Sequence, residues 1–193
     1  MKTIVFYQAD GRITRVRSGD DQSINAELEL AQGKQFLLVD EACDLFSCYV
    51  DGGEIYQKPD QPDEYHEFDY ASKQWVFSLD SARALKWQEI KAARTAQEFG
   101  TFIWGDYTFQ CDEVSQRRIQ GAVQLAAIDS GFSIDWTLAD NSVVNLSAQD
   151  MISIGVTLAA HVNACYEKSR SLRQAIDLAQ TEQDIAEIDW QNE

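Results

Sequence analysis

The chain has 193 residues, 45% of them apolar, and carries 32 acidic against 16 basic side chains, a formal net charge of −16. That apolar share suffices for a core and excludes global disorder, and the length allows one domain or two small ones. The acidic excess repels phosphate backbones and anionic lipid, which argues against nucleic acid or a membrane as the main partner and favours a partner with a basic or neutral patch.

The opening residues, MKTIVFYQADG, hold one early lysine and a short apolar run from Ile4 to Tyr7, which is not the pattern of a signal peptide. No run approaches the ~20 apolar residues of a membrane span, so folding in a cytoplasm is expected. Ile4, Phe6 and the stretch Arg12 to Val16 flank Asp10-Gly11, a hairpin signal. Gln35 to Val39 is a second apolar run. Tyr49-Val50 and Glu54 to Tyr56 flank Asp51-Gly52-Gly53 as another hairpin. The segment KPDQPDEYHEFD, with Pro59 and Pro62, reads as extended loop. Phe68-Asp69-Tyr70 and Gln74-Trp75-Val76 bracket Ala71-Ser72-Lys73 as a closing hairpin. The first 76 residues thus read as strands and turns, with a domain break near Ser78.

Asp80 and Ser81 are suited to cap a helix that runs to Gly100, a natural terminating glycine. Its Arg83, Lys86, Lys91 and Arg94 form either a solvated face or a docking stripe for an acidic partner or for the acidic N-terminal half. Thr101 to Gln110 is the clearest hairpin, with Gly105-Asp106 as a two-residue loop. Trp104 then faces Tyr107 and Phe102 faces Phe109, and alternation along the strands puts all four rings on one face. That face either covers the following helix or stands open as a platform for sugar or protein.

Asp112 opens a helix to about Ile128 whose buried stripe is Ile119, Ala122, Val123 and Ala126. Gly121 within it marks an expected close approach to a neighbouring element. Phe132, Ile134, Trp136 and Leu138 alternate as a strand, Asp140-Asn141 turns it, and Val143-Val144 returns it. Ser147-Ala148-Gln149-Asp150 resembles a capping box with aspartate in the glutamate position. Helical spacing then continues through Met151, Ile154, Leu158, Val162, Cys165, Leu172, Ile176 and Ala179, a helix on the order of 50 Å. Thr181-Glu182-Gln183-Asp184 is a second cap, and Ile185, Ile188 and Trp190 a terminal apolar patch. Such a helix outruns a small core, so its distal stripe is the expected partner surface, at Leu172, Ile176, Ala179 and Trp190. The other reading folds that stripe back on the N-terminal β unit.

Chemistry is sparse. Cys43, Cys48, Cys111 and Cys165 match no zinc spacing. Cys43 and Cys48 are near enough for a local disulfide, while a reducing cytoplasm favours free thiols. His161 and Cys165 share a helix face, yet two ligands do not make a metal site. Asp106, Asp112, Asp135 and Asp140 lie beside Trp104 and Trp136, as in a sugar site, but turn chemistry explains each. There is no phosphate loop, no nucleophile elbow and no zinc-protease helix. No catalytic residue, cofactor or metal is assigned, and a small-molecule ligand is not expected.

The aromatic strand with Asp106, SQRRIQGAVQLA at Ser115 to Ala126, Trp136 with Asp140-Asn141, and NLSAQDMISIGVTLAAHV at Asn145 to Val162 follow one another in an order that resembles a C-terminal domain of bacteriophage tail proteins, DUF4376. Upstream, a DG hairpin, a proline-bearing loop and YHEFDYASKQWV at Tyr65 to Val76 resemble the opening of tail-fibre accessory proteins. The resemblance implies a non-enzymatic tail protein at the fibre or baseplate, acting in fibre attachment or host adsorption. It would be made in the bacterial host cytoplasm and carried in the virion tail. A tail-fibre assembly chaperone and a carbohydrate-binding tip are the alternatives. The implied partner is a tail-fibre or baseplate protein or a second copy of the chain, with no nucleic acid and no membrane. The expected fold is α+β, with a β-rich N-terminal domain over 1–77 and a C-terminal domain of helices, two β-hairpins and a long last helix over 78–193, because strands precede helices rather than alternate with them.

Overall fold

A computed structural model of the protein describes residues 2–29, 31, 33–40, 44 and 46–192. The chain divides into two compact units, Met1–Ala82 and Arg83–Glu193. The break falls a few residues beyond the expected one, inside a helix rather than in a linker.

In the first unit, β1 (Lys2–Tyr7) runs between β2 (Ile13–Gly19) and β3 (Gln35–Val39), antiparallel to both. The period of two puts Ile4 and Phe6 on one face and Val5 on the other. The unit was expected to contain only strands and turns, but a helix, α1 (Asp21–Glu29), covers the first face with Ile24 and Leu28. Asp20 caps it, its carboxylate accepting from the Ser23 amide at 2.8 Å. On the second face Val5 packs with Ile13 and with Val50 of the hairpin β4 (Cys48–Asp51) and β5 (Glu54–Gln57). A last hairpin, β6 (His66–Asp69) and β7 (Gln74–Phe77), closes the unit. Its Phe68, Tyr70 and Trp75 rings surround the Lys58 ammonium at 5.1, 5.0 and 5.9 Å. The Trp75 indole also donates to the Pro59 carbonyl at 2.8 Å, so the proline-bearing loop is strapped down where it leaves β5. Cys43, half of the disulfide considered from the sequence, lies outside the described residues, and Cys48 is a free, half-buried thiol.

The helix that spans the break, α2 (Leu79–Glu98), starts a residue or two earlier than the Asp80–Ser81 signal, with the Ser78 hydroxyl accepting from the Ser81 amide at 3.3 Å. In the second unit it leads to β8 (Thr101–Trp104) and β9 (Tyr107–Gln110), then α3 (Glu113–Ile128), β10 (Ser133–Thr137), β11 (Val143–Ser147), α4 (Ala148–Leu178) and α5 (Glu182–Ala186). Gly100 is not among the residues with left-handed backbone. A Cβ there would sit 3.0 Å from the Ala96 carbonyl, so a close approach, not a terminating turn, favours glycine. Phe102, Phe109, Ile119, Trp136, Met151 and Ile154 form the centre of a core that both hairpins, α3 and α4 share. At 31 residues, α4 is about 46 Å long.

Each of the last three helices is opened by an aspartate. Asp112 accepts from the amides of Val114 and Ser115. Asp150 and Asp184 complete capping boxes with Ser147 and Thr181. Their carboxyls are held below the ordinary value of 3.8, chiefly by the Ser115 hydroxyl at Asp112, the Ser147 hydroxyl at Asp150 and the Gln180 amide at Asp184. A depressed carboxylate contributes stability that is complete above 3.8 and lost as pH falls through its lower folded value. The melting temperature is therefore expected to fall below pH 4, and to fall less steeply when all three aspartates are replaced by asparagine. Equal slopes in a melting series from pH 6 to 2 would refute it.

Candidate functional site

The aromatic hairpin forms in the expected register, Phe102 opposite Phe109 and Trp104 opposite Tyr107. Gly105, at φ 58°, takes the left-handed position of its loop. The shared face is turned inward. Phe109 is 0% and Phe102 4% exposed, stacked on each other at 5.4 Å, with Trp136 at 6.3 Å from Phe109. Half-buried Trp104 donates its indole N–H to the Ser153 hydroxyl of α4 at 3.0 Å, and Tyr107 remains at the exposed rim. The helix this face covers is thus α4 as well as the following α3, and no open platform of four rings exists.

The distal stripe of α4 is also covered from within. Arg83 donates to the Asp177 and Ala179 carbonyls at 3.2 and 2.6 Å, Trp87 lies under the Arg173 guanidinium, Arg94 lies over Tyr166, and His161 Nε2 stands 3.1 Å from the Gln97 carbonyl. Positions fall along α4 as they rise along α2, so the two helices run antiparallel. Ile176, Ala179 and Trp190 are buried and Leu172 is half-buried. Of these four residues, expected to meet another chain, Ile176, Ala179 and Trp190 are core, and Leu172 lines a hollow with Lys168 and Asn192. Of the cationic face of α2, Arg83 and Arg94 turn to α4, while Lys86 pairs with Glu89 and Lys91 lies over Trp87 within α2 itself. The last turn of α4 has no basic residue of its own, and Arg83 supplies the positive charge its terminal carbonyls favour.

A groove of about 860 Å³ lies between α3 and the middle of α4. Ile119, Val123, Ile152, Val156 and Val162 line it, glutamines 116, 120 and 124 rim it, and Tyr166 and Arg170 close one end. Val156 is 67% exposed there. Sequence reasoning missed the groove because it followed one apolar stripe on each helix, and Ile152 and Val156 lie off the stripe of α4. The helices meet at Gly155, where a Cβ would lie 2.6 Å from Val123 Cγ2. Gly121, the expected contact point, has nothing within 4 Å of its own Cβ position. Alanine at Gly155 is therefore expected to cost about 1–2 kcal/mol net, overpacking outweighing the gain in helix propensity, and Val123→Ala should recover most of it. Alanine at Gly121 should gain up to ~1 kcal/mol. Urea titrations of the three variants check this; equal effects at both glycines would place the contact elsewhere.

Groups with chemical potential are each occupied locally. His161 packs against Phe102, and Cys165 is buried. Burial pushes the Cys111 thiol up to about 11 and raises Cys165 as well, the opposite of an activated nucleophile. Asp140 accepts from Ser142, Asp135 from Asn145, and Asp112 caps α3. Among the described residues, no group of three or more His, Cys, Asp or Glu side chains is placed to hold a metal ion. Among the same residues, no helix is long and apolar enough to cross a membrane.

A small helix-and-hairpin domain, whose available surfaces are a groove and apolar helix faces rather than a cluster of reactive groups, is what residues 83–193 build. Residues 81–191 match the family described as Domain of unknown function (DUF4376), and the chain belongs to that family. No curated protein and no solved structure matches it.

Proposed function

We propose that the chain is a non-enzymatic component of a bacteriophage tail, working at the fibre or baseplate in fibre attachment or host adsorption. It would be made in the host cytoplasm and would hold a tail-fibre or baseplate protein. The observation that carries this reading is the open groove between α3 and α4, within a domain of the matched family. An apolar floor with amide rims suits the apolar face of a partner helix, and Arg170 at one end offers a charge to an acidic side chain. The order of the aromatic hairpin, α3, the second hairpin and α4, which carries the resemblance to tail proteins, supports it.

An assembly chaperone for the fibre is the second reading, favoured by the layout of a small β unit followed by helices. Mass spectrometry of purified virions separates the two: stoichiometric presence supports the structural role, and absence supports the chaperone. Val156→Glu, which puts a charge in the groove, is expected to abolish binding to the fibre partner in either case. Unchanged binding would sink the groove as the contact. A carbohydrate-binding tip has less support, because the rings proposed as its platform are packed on α4 and Trp136.

A further inference from the structure

The three-stranded sheet of the N-terminal unit ends on two unlike edges. β2 breaks its ladder with a bulge, Thr14 being passed over between the pairs Phe6–Arg15 and Tyr7–Ile13, and it carries Arg15 and Arg17. Bulges and charged side chains are what keeps a sheet edge from pairing further. β3 has neither. Gln35 to Val39 is uncharged and free of proline. Among the described residues β3 pairs with β1 alone, which turns alternate N–H and C=O groups away from the sheet. The register sets Leu38 beside Ile4 and Phe36 beside Phe6, on the face where α1 lies. There α1 packs on β1 and β2, and Phe36 and Leu38 remain 36% and 47% exposed. Lys34 and Asp40 bound the strand at equal distances from Leu37. Alternation puts both on that same face, where the Lys34 ammonium stands 6.0 Å from the Phe6 ring.

We propose that β3 pairs with β3 of a second copy, antiparallel about a two-fold axis at Leu37, so that two sheets of three strands become one of six. The strand's own residues select this occupant. The axis sets Phe36 against Leu38 of the second copy and Lys34 against Asp40, each pair occurring twice. Partners are an even number of residues apart in the chain, so groups that turn outward on one strand meet groups that turn outward on the other. Charge agrees. A net charge of −16 opposes self-association, so a second copy is accepted only where it brings no unpaired charge to the seam. Gln35 to Val39 bring none, and each Lys34 meets an Asp40. The pairing supplies about six backbone hydrogen bonds across the seam, with apolar pairs beside them, so it does not rest on buried area alone. The blunted β2 edges accept no further strand, and the assembly closes as a dimer.

Sedimentation of the full chain from about 10 to about 500 μM, at about 0.15 M salt, is expected to show a monomer passing to a dimer. Lys34→Glu sets acid against Asp40 at both ends of the seam, and Asp40→Lys sets cation against Lys34. Each alone should weaken the dimer about tenfold or more, with the melting temperature nearly unchanged because both positions are exposed. Mixed in equal amounts, the two variants regain opposite charges at both ends and should dimerise with each other about as well as wild type. The double variant Lys34→Glu, Asp40→Lys should dimerise with itself. In a Cys43→Ser, Cys48→Ser background, a mixture of Phe36→Cys and Leu38→Cys should cross-link under mild oxidation far more than either alone. A wild-type chain that stays monomeric throughout would overturn the pairing and leave the edge to a foreign strand. Single variants that dimerise as well as wild type, or a mixture no better than its components, would overturn it by placing the contact elsewhere. Self-cross-linking of Phe36→Cys and of Leu38→Cys would overturn the antiparallel arrangement, and growth beyond a dimer would overturn the closure. Virion incorporation does not enter these readouts, so their failure is distinct from failure of the tail-protein reading.

Discussion

Phe109→Ala is expected to destabilise the C-terminal unit by about 3–5 kcal/mol, a large fraction of the stability of a domain this size. Phe109 is fully buried and touches three other aromatic rings, Phe102, Trp104 and Trp136, so its loss leaves a cavity that neighbours from both hairpins cannot jointly fill. Tyr107→Ala, at the exposed rim of the same hairpin, should cost under ~1 kcal/mol. Thermal denaturation followed by near-ultraviolet circular dichroism reports both. Comparable small losses would mean that the aromatic face is a surface after all, and would reopen the sugar platform.

Gly11→Ala is expected to be about as damaging to the N-terminal unit, costing about 3 kcal/mol through backbone strain and a broken contact. Gly11 is buried with φ 92°, and a Cβ there would fall 2.0 Å from the Val50 carbonyl oxygen. The same residue's carbonyl accepts from the Val50 amide at 2.9 Å, so the first turn and β4 are joined backbone to backbone. Gly52→Ala is the control: φ is 57°, but no atom lies within 4 Å, leaving strain alone, about 1 kcal/mol. Amide exchange at Ile4 and Val5 should accelerate strongly in the first variant and little in the second. Equal protection in the two would show that the turn does not bear on the sheet.

The hairpins and the last helices were legible because their signals are local. Asp-Gly and Gly-Asp loops set the register of their own strands, and Asp112, Ser147 and Thr181 each cap the helix that follows within three residues. The short α1 was missed because only Ile24 and Leu28 are apolar at helical spacing in a polar stretch, and its reason to exist is the β1 face it covers. Which glycine marks a helix contact was read wrongly, since Gly121 and Gly155 look alike in sequence and only the placement of Val123 distinguishes them. The α4 stripe shows the same limit. Its spacing says that Ile176 is covered, but the covering residues, such as Arg83, stand in α2, far away in the chain. The Lys58 cage was unreadable for that reason too, being made only when β6 and β7 bring three rings to one loop lysine.

The antiparallel run of α2 along α4 also settles the topology of the C-terminal unit. Arg83 reaches the Ala179 carbonyl, and Trp190 lies in a shallow hollow with Lys86 and Ile90, so the unit begins and finishes at one edge. A body whose two ends share an edge can be set into a surface loop of another protein as a single insertion, leaving the host strands where they were. By the same geometry a circular permutant, with its old ends joined by a short linker and new ones opened between Gly105 and Asp106, keeps α3, α4 and α5 intact.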